Sequence, residues 1–167
     1  METVIMMKNN EFHTVRGYQL QKQESKTLTS AMEDYLEMIY RNVREGGYMR
    51  INTLAELLNV RPSSATKMVQ KLASQGFLDY QRYGIISLTE KGRELGRFLL
   101  ERHNIIERFL KSIGISENLL KETELIEHNV SANTLRNINY LNCFFDMHPE
   151  IVEEFEKFKR ENTGCII

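Results

Sequence analysis

Read by period, the chain is mostly helix with one short stretch of alternation. Met32, Tyr35, Leu36, Ile39, Tyr40 and Val43 recur at intervals of three and four and form one apolar stripe. The stripe predicts a helix from Thr29 or Ser30, either of which can cap it, to about Arg44, closed by Gly46-Gly47. TLAELLN reads as a short second helix capped by Asn52 or Thr53. Asn59-Val60-Arg61 breaks the pattern, and Pro62 opens a third helix, PSSATKMVQKLASQ, which stops at Gly76. Met68, Val69 and Leu72 are its inward face. The period then falls to two, and FLDYQ and GIISLT alternate around Arg82-Tyr83-Gly84 as a two-stranded hairpin. Thr89 and Glu90 start a long helix to about Ile113. Helices over roughly 116–129, 131–146 and 149–161 follow, started by Ser116, Ser131 and Pro149. Residues 1–28 hold only scattered apolar positions and read as a flexible N-terminal arm.

The order is informative beyond its parts. Helix, short helix, tight turn, helix and hairpin over 29–90 is the order of a winged helix-turn-helix, a DNA-binding fold. Residues 91–167 form a second, helical domain. The fold class expected is therefore mainly α.

Composition bounds the rest. At 41% hydrophobic and 27% charged residues the chain is an ordinary globular one, and two prolines leave room for long helices. No apolar run approaches the ~20 residues that span a bilayer. METVIMMKNNEFH does not read as a signal peptide. Cys143 and Cys165 are no disulfide framework, so a cytoplasmic location and no membrane are expected. Charge is unevenly spread: residues 50–112 hold 11 Lys/Arg against 6 Asp/Glu, and residues 113–167 hold 5 against 10. A basic middle suits a nucleic-acid reader joined to something else.

The third helix opens with small hydroxyl residues, Ser63, Ser64 and Thr66, followed by Lys67 and Lys71. Small side chains let a helix enter the major groove, while hydroxyls, lysines and the helix N-terminus grip phosphates. At the hairpin tip Arg82 and Tyr83, with Tyr80 nearby, are placed to rest on the adjacent backbone.

A second chemistry lies in three other segments. Asp34 and Glu37 are three apart, His103 and Glu107 four apart, and Glu124, Glu127 and His128 stand at i, i+3 and i+4. On a helix each set faces one way. A single such pair is usually a solvated face, but three sets of only oxygen and imidazole donors can converge on one or two divalent ions. With no sulfur among them, the set suits manganese(II) or iron(II) better than a thiolate metal. Ile126 and Val130, read as part of the same helix, suggest that the region is partly buried, where unpaired carboxylates would be costly.

SAMEDYLEMIY, RPSSATKMVQKL, the Arg102–Glu107 segment and ExxEH at Glu124–His128 resemble the diphtheria-toxin-repressor superfamily of metal-dependent repressors, and within it the manganese-responsive branch. The resemblance runs from about Ser30 to the region of Glu161. It implies a dimerisation and metal-binding role for the helical domain, a homodimer, a double-stranded operator, and two metal ions per subunit. Asp34, Glu37, His103, Glu124 and Glu127 would hold one ion, and Glu107, Glu124, Glu127 and His128 the other. Iron-responsive members tend to have Met at the Asp34 position and Cys at the Glu124 position; acidic residues at both favour Mn(II), with Fe(II) as the alternative. The arm has no counterpart in the short manganese regulators, and the chain ends without the SH3-like third domain of many iron-responsive members.

The function the resemblance implies is repression of metal-uptake genes when the metal is plentiful. An enzyme of the di-metal carboxylate kind is the rival from another class, but it wants two Glu-x-x-His motifs within one bundle, which this chain lacks. A winged-helix regulator that senses a small molecule or oxidation is the other rival. Cys143, in LNCFF, reads as buried and inert.

Overall fold

A computed structural model describes residues 28–43 and 47–162. The predicted arm, apart from Leu28, and Gly46 lie outside these residues. The chain divides into two compact units, Met1–Glu101 and Arg102–Ile167.

In the first unit, α1 (Ser30–Asn42) buries Met32, Leu36 and Ile39, with Val43 just beyond its end. Thr29 is the N-cap by backbone geometry, but its side chain makes no capping bond. Next comes β1 (Met49–Arg50), which leads directly into α2 (Ile51–Leu57). The expectation of a start at Asn52 or Thr53 is corrected: Arg50 is the cap residue, because its extended backbone is held in a sheet. The turn after α2 is closed by Asn59, whose φ of 50° is left-handed, with Val60 N bonded to Ala55 O. α3 (Pro62–Ser74) has Pro in its first turn and buries Ala65, Val69 and Leu72; Met68 is half-buried. It ends at Gly76, where a φ of +78° and the bonds Gly76 N to Ala73 O and Phe77 N to Leu72 O make a Schellman stop.

β2 (Leu78–Gln81) and β3 (Ile85–Leu88) pair antiparallel, Leu78 opposite Leu88 and Gln81 opposite Ile85. A tight turn, Arg82–Gly84, with Tyr83 and Gly84 at positive φ, joins them. The sheet has three strands rather than the two expected, in the order β1-β3-β2, with Met49 opposite Ile86. Two residues are too few to show alternation, so β1 is made by pairing and not by pattern.

α4 (Glu90–Ser112) is the long helix. Thr89 accepts from Gly92 N through Oγ1 at 3.0 Å and so caps it, as expected. In the second unit follow α5 (Leu119–Glu127), α6 (Ala132–Met147) and α7 (Pro149–Glu161). α5 starts at Leu119 and not at Ser116, and it ends at Glu127, so Val130 is not on it. Ser131 caps α6 by accepting from Thr134 N at 3.2 Å. Asn142 on α6, itself buried, donates to Ile105 O on α4 at 2.9 Å, and Arg108 donates to Asn142 O at 3.1 Å and to Asp146. Lys159 on α7 donates to Ile113 O at 2.9 Å, satisfying a carbonyl beyond the C-terminus of α4.

Candidate metal centre and nucleic-acid interface

α3 presents Ser63, Ser64, Lys67 and Lys71 to solvent, because Ala65, Val69 and Leu72 occupy its inner face. Thr66 is half-buried and its hydroxyl donates to Pro62 O at 2.9 Å, leaving only lone pairs for an outside donor. Gln70 is exposed one turn beyond Lys67, and Arg61 is exposed at the cap. Sequence reading passed over both. The i, i+3 relation to Lys67 could have found Gln70, whose amide is one of the two side-chain types that pair bidentately with adenine. Arg82 and Tyr83 are exposed at the hairpin tip, Tyr83 at 90% with a φ of 66°. A bulky residue held there in a left-handed conformation is presented outward and packs on nothing of its own strand pair.

The metal donors divide between the units. In the first, Glu37 is buried on α1 and accepts from Arg41, while Asp34 is exposed. Tyr35, on the same helix, has its phenol pKa raised by burial. In the second unit α4 and α5 bring three donors together. His103 Nδ1 lies 2.9 Å from Glu127 Oε2, both buried, and His128 Nε2 lies 3.8 Å from Glu127 Oε1. The Glu127 carboxylate is thus flanked by two imidazoles at 2% exposure. Arg102, also buried, has Nη2 3.4 Å from His128 Nδ1. The sequence carries Arg102 only as part of the Arg102–Glu107 segment, with nothing in its spacing to give the arginine a role.

Two predicted donors stand apart from that cluster. Glu107 is half-buried and pairs with Lys111 Nζ at 3.1 Å. Glu124 is exposed, because Thr123 and Glu127, four apart, form the buried edge of α5. The donors brought together are nitrogen and carboxylate oxygen, and a buried carboxylate needs a compensating cation. The residues present therefore fit a divalent metal, and the described residues form no thiolate cluster that would favour a softer one.

Comparison with known proteins bears on both sites. Residues 27–86 match the family described as "Iron dependent repressor, N-terminal DNA binding domain". Residues 89–156 match "Iron dependent repressor, metal binding and dimerisation domain". The HTH-type transcriptional regulator MntR of Lysinibacillus sphaericus (strain C3-41) is 42% identical over 136 residues, covering 81% of this chain and 98% of that protein. The regulator of the same name from Geobacillus kaustophilus (strain HTA426) is 42% identical over 135 residues, covering 80% and 96%. Among solved structures, the manganese regulator SloR superposes with a TM-score of 0.59 at 27% identity, covering 66% of this chain and 52% of that one. T. acidophilum IdeR superposes with a TM-score of 0.55 at 31% identity, covering 64% and 51%.

Proposed function

The chain belongs to the iron-dependent repressor family of metal-dependent, DNA-binding transcriptional regulators, and not to an enzyme family; on that premise we propose that it is a manganese(II)-responsive repressor of metal-uptake genes, acting in the cytoplasm as a homodimer on a palindromic operator. The observation that carries the reading is the buried Glu127 carboxylate between His103 and His128, an oxygen and imidazole site without sulfur. The relatives named MntR support manganese over iron.

Asp34, Glu37, His103, Glu124 and Glu127 are proposed to hold one ion, and Glu107, Glu124, Glu127 and His128 a second, giving two per subunit. When bound, a divalent cation supplies the positive charge that lets these carboxylates lie together. Recruiting Glu107 means giving up its i, i+4 pair with the exposed Lys111, a pairing worth on the order of 0.3–0.5 kcal/mol on a helix surface. Arg102 holds the His128 ring by its Nδ1 side and leaves Nε2 directed to Glu127. The domains proposed are an arm over 1–28, a DNA-binding domain over 29–90, and a dimerisation and metal-binding domain over 91–167. Ser63, Ser64, Thr66, Lys67 and Lys71 would lie along the major groove, and Arg82 and Tyr83 on the flanking backbone. The second copy would cover the exposed apolar residues of α6 and α7, among them Tyr140, Phe144, Met147 and Phe158.

Ligands drawn from both domains make the metal a tie between them, and tying them fixes the spacing of two recognition helices to that of the half-sites. The test is fluorescence anisotropy on promoter DNA from the same genome at one salt concentration, titrated with manganese(II), anaerobic iron(II) and zinc(II). DNA affinity should rise about 5–150-fold with manganese. A rise with iron(II) alone would make the chain an iron sensor, and no response to any metal would remove the switch.

A further inference from the structure

The end of the recognition helix is fastened to the start of α4 by contacts that no base or phosphate explains. Lys91 Nζ donates to Gln75 O, at the C-terminus of α3, over 3.2 Å, and sits 4.3 Å from the centre of the Phe77 ring. Thr89 Oγ1 donates to Gly76 O at 2.7 Å, and Thr89 N donates to Phe77 O at 3.1 Å. Gly92 closes the joint: a Cβ there would lie 2.0 Å from Phe77 O. One turn on, a Cβ at Gly96 would lie 2.7 Å from Tyr40 Cβ on α1. The first turns of α4 therefore meet the stop of α3 backbone to backbone at Gly92, and meet α1 through the Tyr40 side chain packed on Gly96.

We infer that Lys91 and Thr89 are positioning residues through which metal occupancy reaches the recognition helix. The inference rests on the reading above and deepens it. His103 and Glu107 lie farther along the same helix that begins at this joint, roughly three and four turns on from Lys91. Ordering of the metal ligands fixes α4, and the joint passes that order to the C-terminal end of α3, setting the tilt at which Lys67 and Lys71 are presented. The ammonium of Lys91 suits the task, since a cation at a helix C-terminus satisfies an orphan carbonyl and the negative end of the dipole at once. The ammonium also sits over the Phe77 ring, so the contact is directional and does not simply fill space.

The experiment uses the full chain as Lys91→Met, Thr89→Val, and Lys91→Arg as the conservative control. Lys91→Met keeps an unbranched apolar side chain of similar length and removes the charge and the hydrogen bond to Gln75 O, and its fold is checked by thermal melting. Three quantities are read: manganese affinity without DNA, DNA affinity with and without saturating manganese, and the slope of log affinity against log salt. Manganese affinity should stay within about twofold of wild type. The ratio of metal-loaded to metal-free DNA affinity should shrink about fivefold or more in Lys91→Met and Thr89→Val, out of the 5–150-fold usual for such coupling. Lys91→Arg should restore most of it. The salt slope should stay at the wild-type value, since a lysine on phosphate would change it by about 1. An unchanged ratio, or two affinities that fall in parallel, overturns the inference, as does a reduced salt slope. A wild-type chain with no metal effect on DNA overturns the reading under Proposed function and this inference with it, whereas a metal effect that survives in both variants overturns this inference alone.

Discussion

Among the described residues, Met1–Glu101 shields Leu36, Ile39, Leu54, Val69, Leu72, Phe77 and Ile86 almost completely, whereas the fully shielded apolar side chains of Arg102–Ile167 are Ile106, Leu110 and Leu135. The second unit buries Arg102, His103, Thr123, Glu127 and Asn142 instead. Many of its other apolar residues are only half-buried, Tyr140, Leu141, Phe144, Met147, Phe155 and Phe158 are exposed, and α7 has no fully buried residue. One unit is closed mainly by apolar side chains, with Glu33 and Glu37 buried at its α1 face. The other has few fully buried apolar groups and a larger share of polar ones, and burial of charge is unfavourable unless something compensates it. A reader of DNA needs a fixed shape. A sensor needs a shape that depends on what it binds, and a weak core supplies that dependence.

Breaking the first unit should have the largest effect. Leu72→Ala removes a fully buried side chain and should cost about 2–5 kcal/mol in urea unfolding, with DNA binding lost alongside. Phe158→Ser, at a residue 56% exposed, should leave monomer stability nearly unchanged but weaken self-association in sedimentation velocity. Equal losses of fold stability from the two would erase the contrast.

Next in size is the buried carboxylate. Glu127→Gln should lower manganese affinity by about 100-fold or more, since even residues outside the ligand shell cost 10–100-fold in such sites. The melting temperature of the metal-free chain should hold or rise, because the amide still accepts at His103 and the buried charge is gone. A metal-free chain that unfolds on this change would show that the pair is a structural ion pair.

Lys67→Ala and Lys71→Ala should each weaken DNA binding uniformly across sequences and lower the salt slope by about 1, measured by anisotropy over a salt series. The smallest effect belongs to Glu150. Its pKa is lowered by a backbone hydrogen bond at the start of α7 and then by His148, whose Nδ1 lies 3.1 Å from Oε1. A depressed carboxyl stabilises above the ordinary carboxylate range and loses that contribution as pH falls through its lowered value. Glu150→Gln should therefore lower the melting temperature slightly near neutral pH and not at all in strong acid.

Much of the first unit could be read from pattern, because its apolar stripes mark its interior: Met32-Leu36-Ile39 and Val69-Leu72 are predicted and buried. The same rule misleads in the second unit. In LLKETELIE, Leu120 and Leu125 are 57% and 61% exposed while Thr123 and Glu127 are inside. A permanent homodimer interface resembles a domain core cut in half, so hydrophobicity cannot tell the two apart in a single chain. The facing of Glu124 could not be read for that reason. The His103–Glu127 contact, between residues on different helices, follows from helix packing that no spacing encodes. β1 and the early start of α2 escaped for a simpler cause, since pairing of two residues leaves no period.

The bare α7 has a consequence for the protein's abundance. With no fully buried residue of its own, α7 should open at modest cost, and with the second copy lying over it as proposed, its shielding should rise with the dimer present. Dilution unshields it, and an opened helix is what proteases cleave. The half-life of the chain should therefore lengthen as its own copy number rises, so that a scarce regulator is cleared faster than an abundant one.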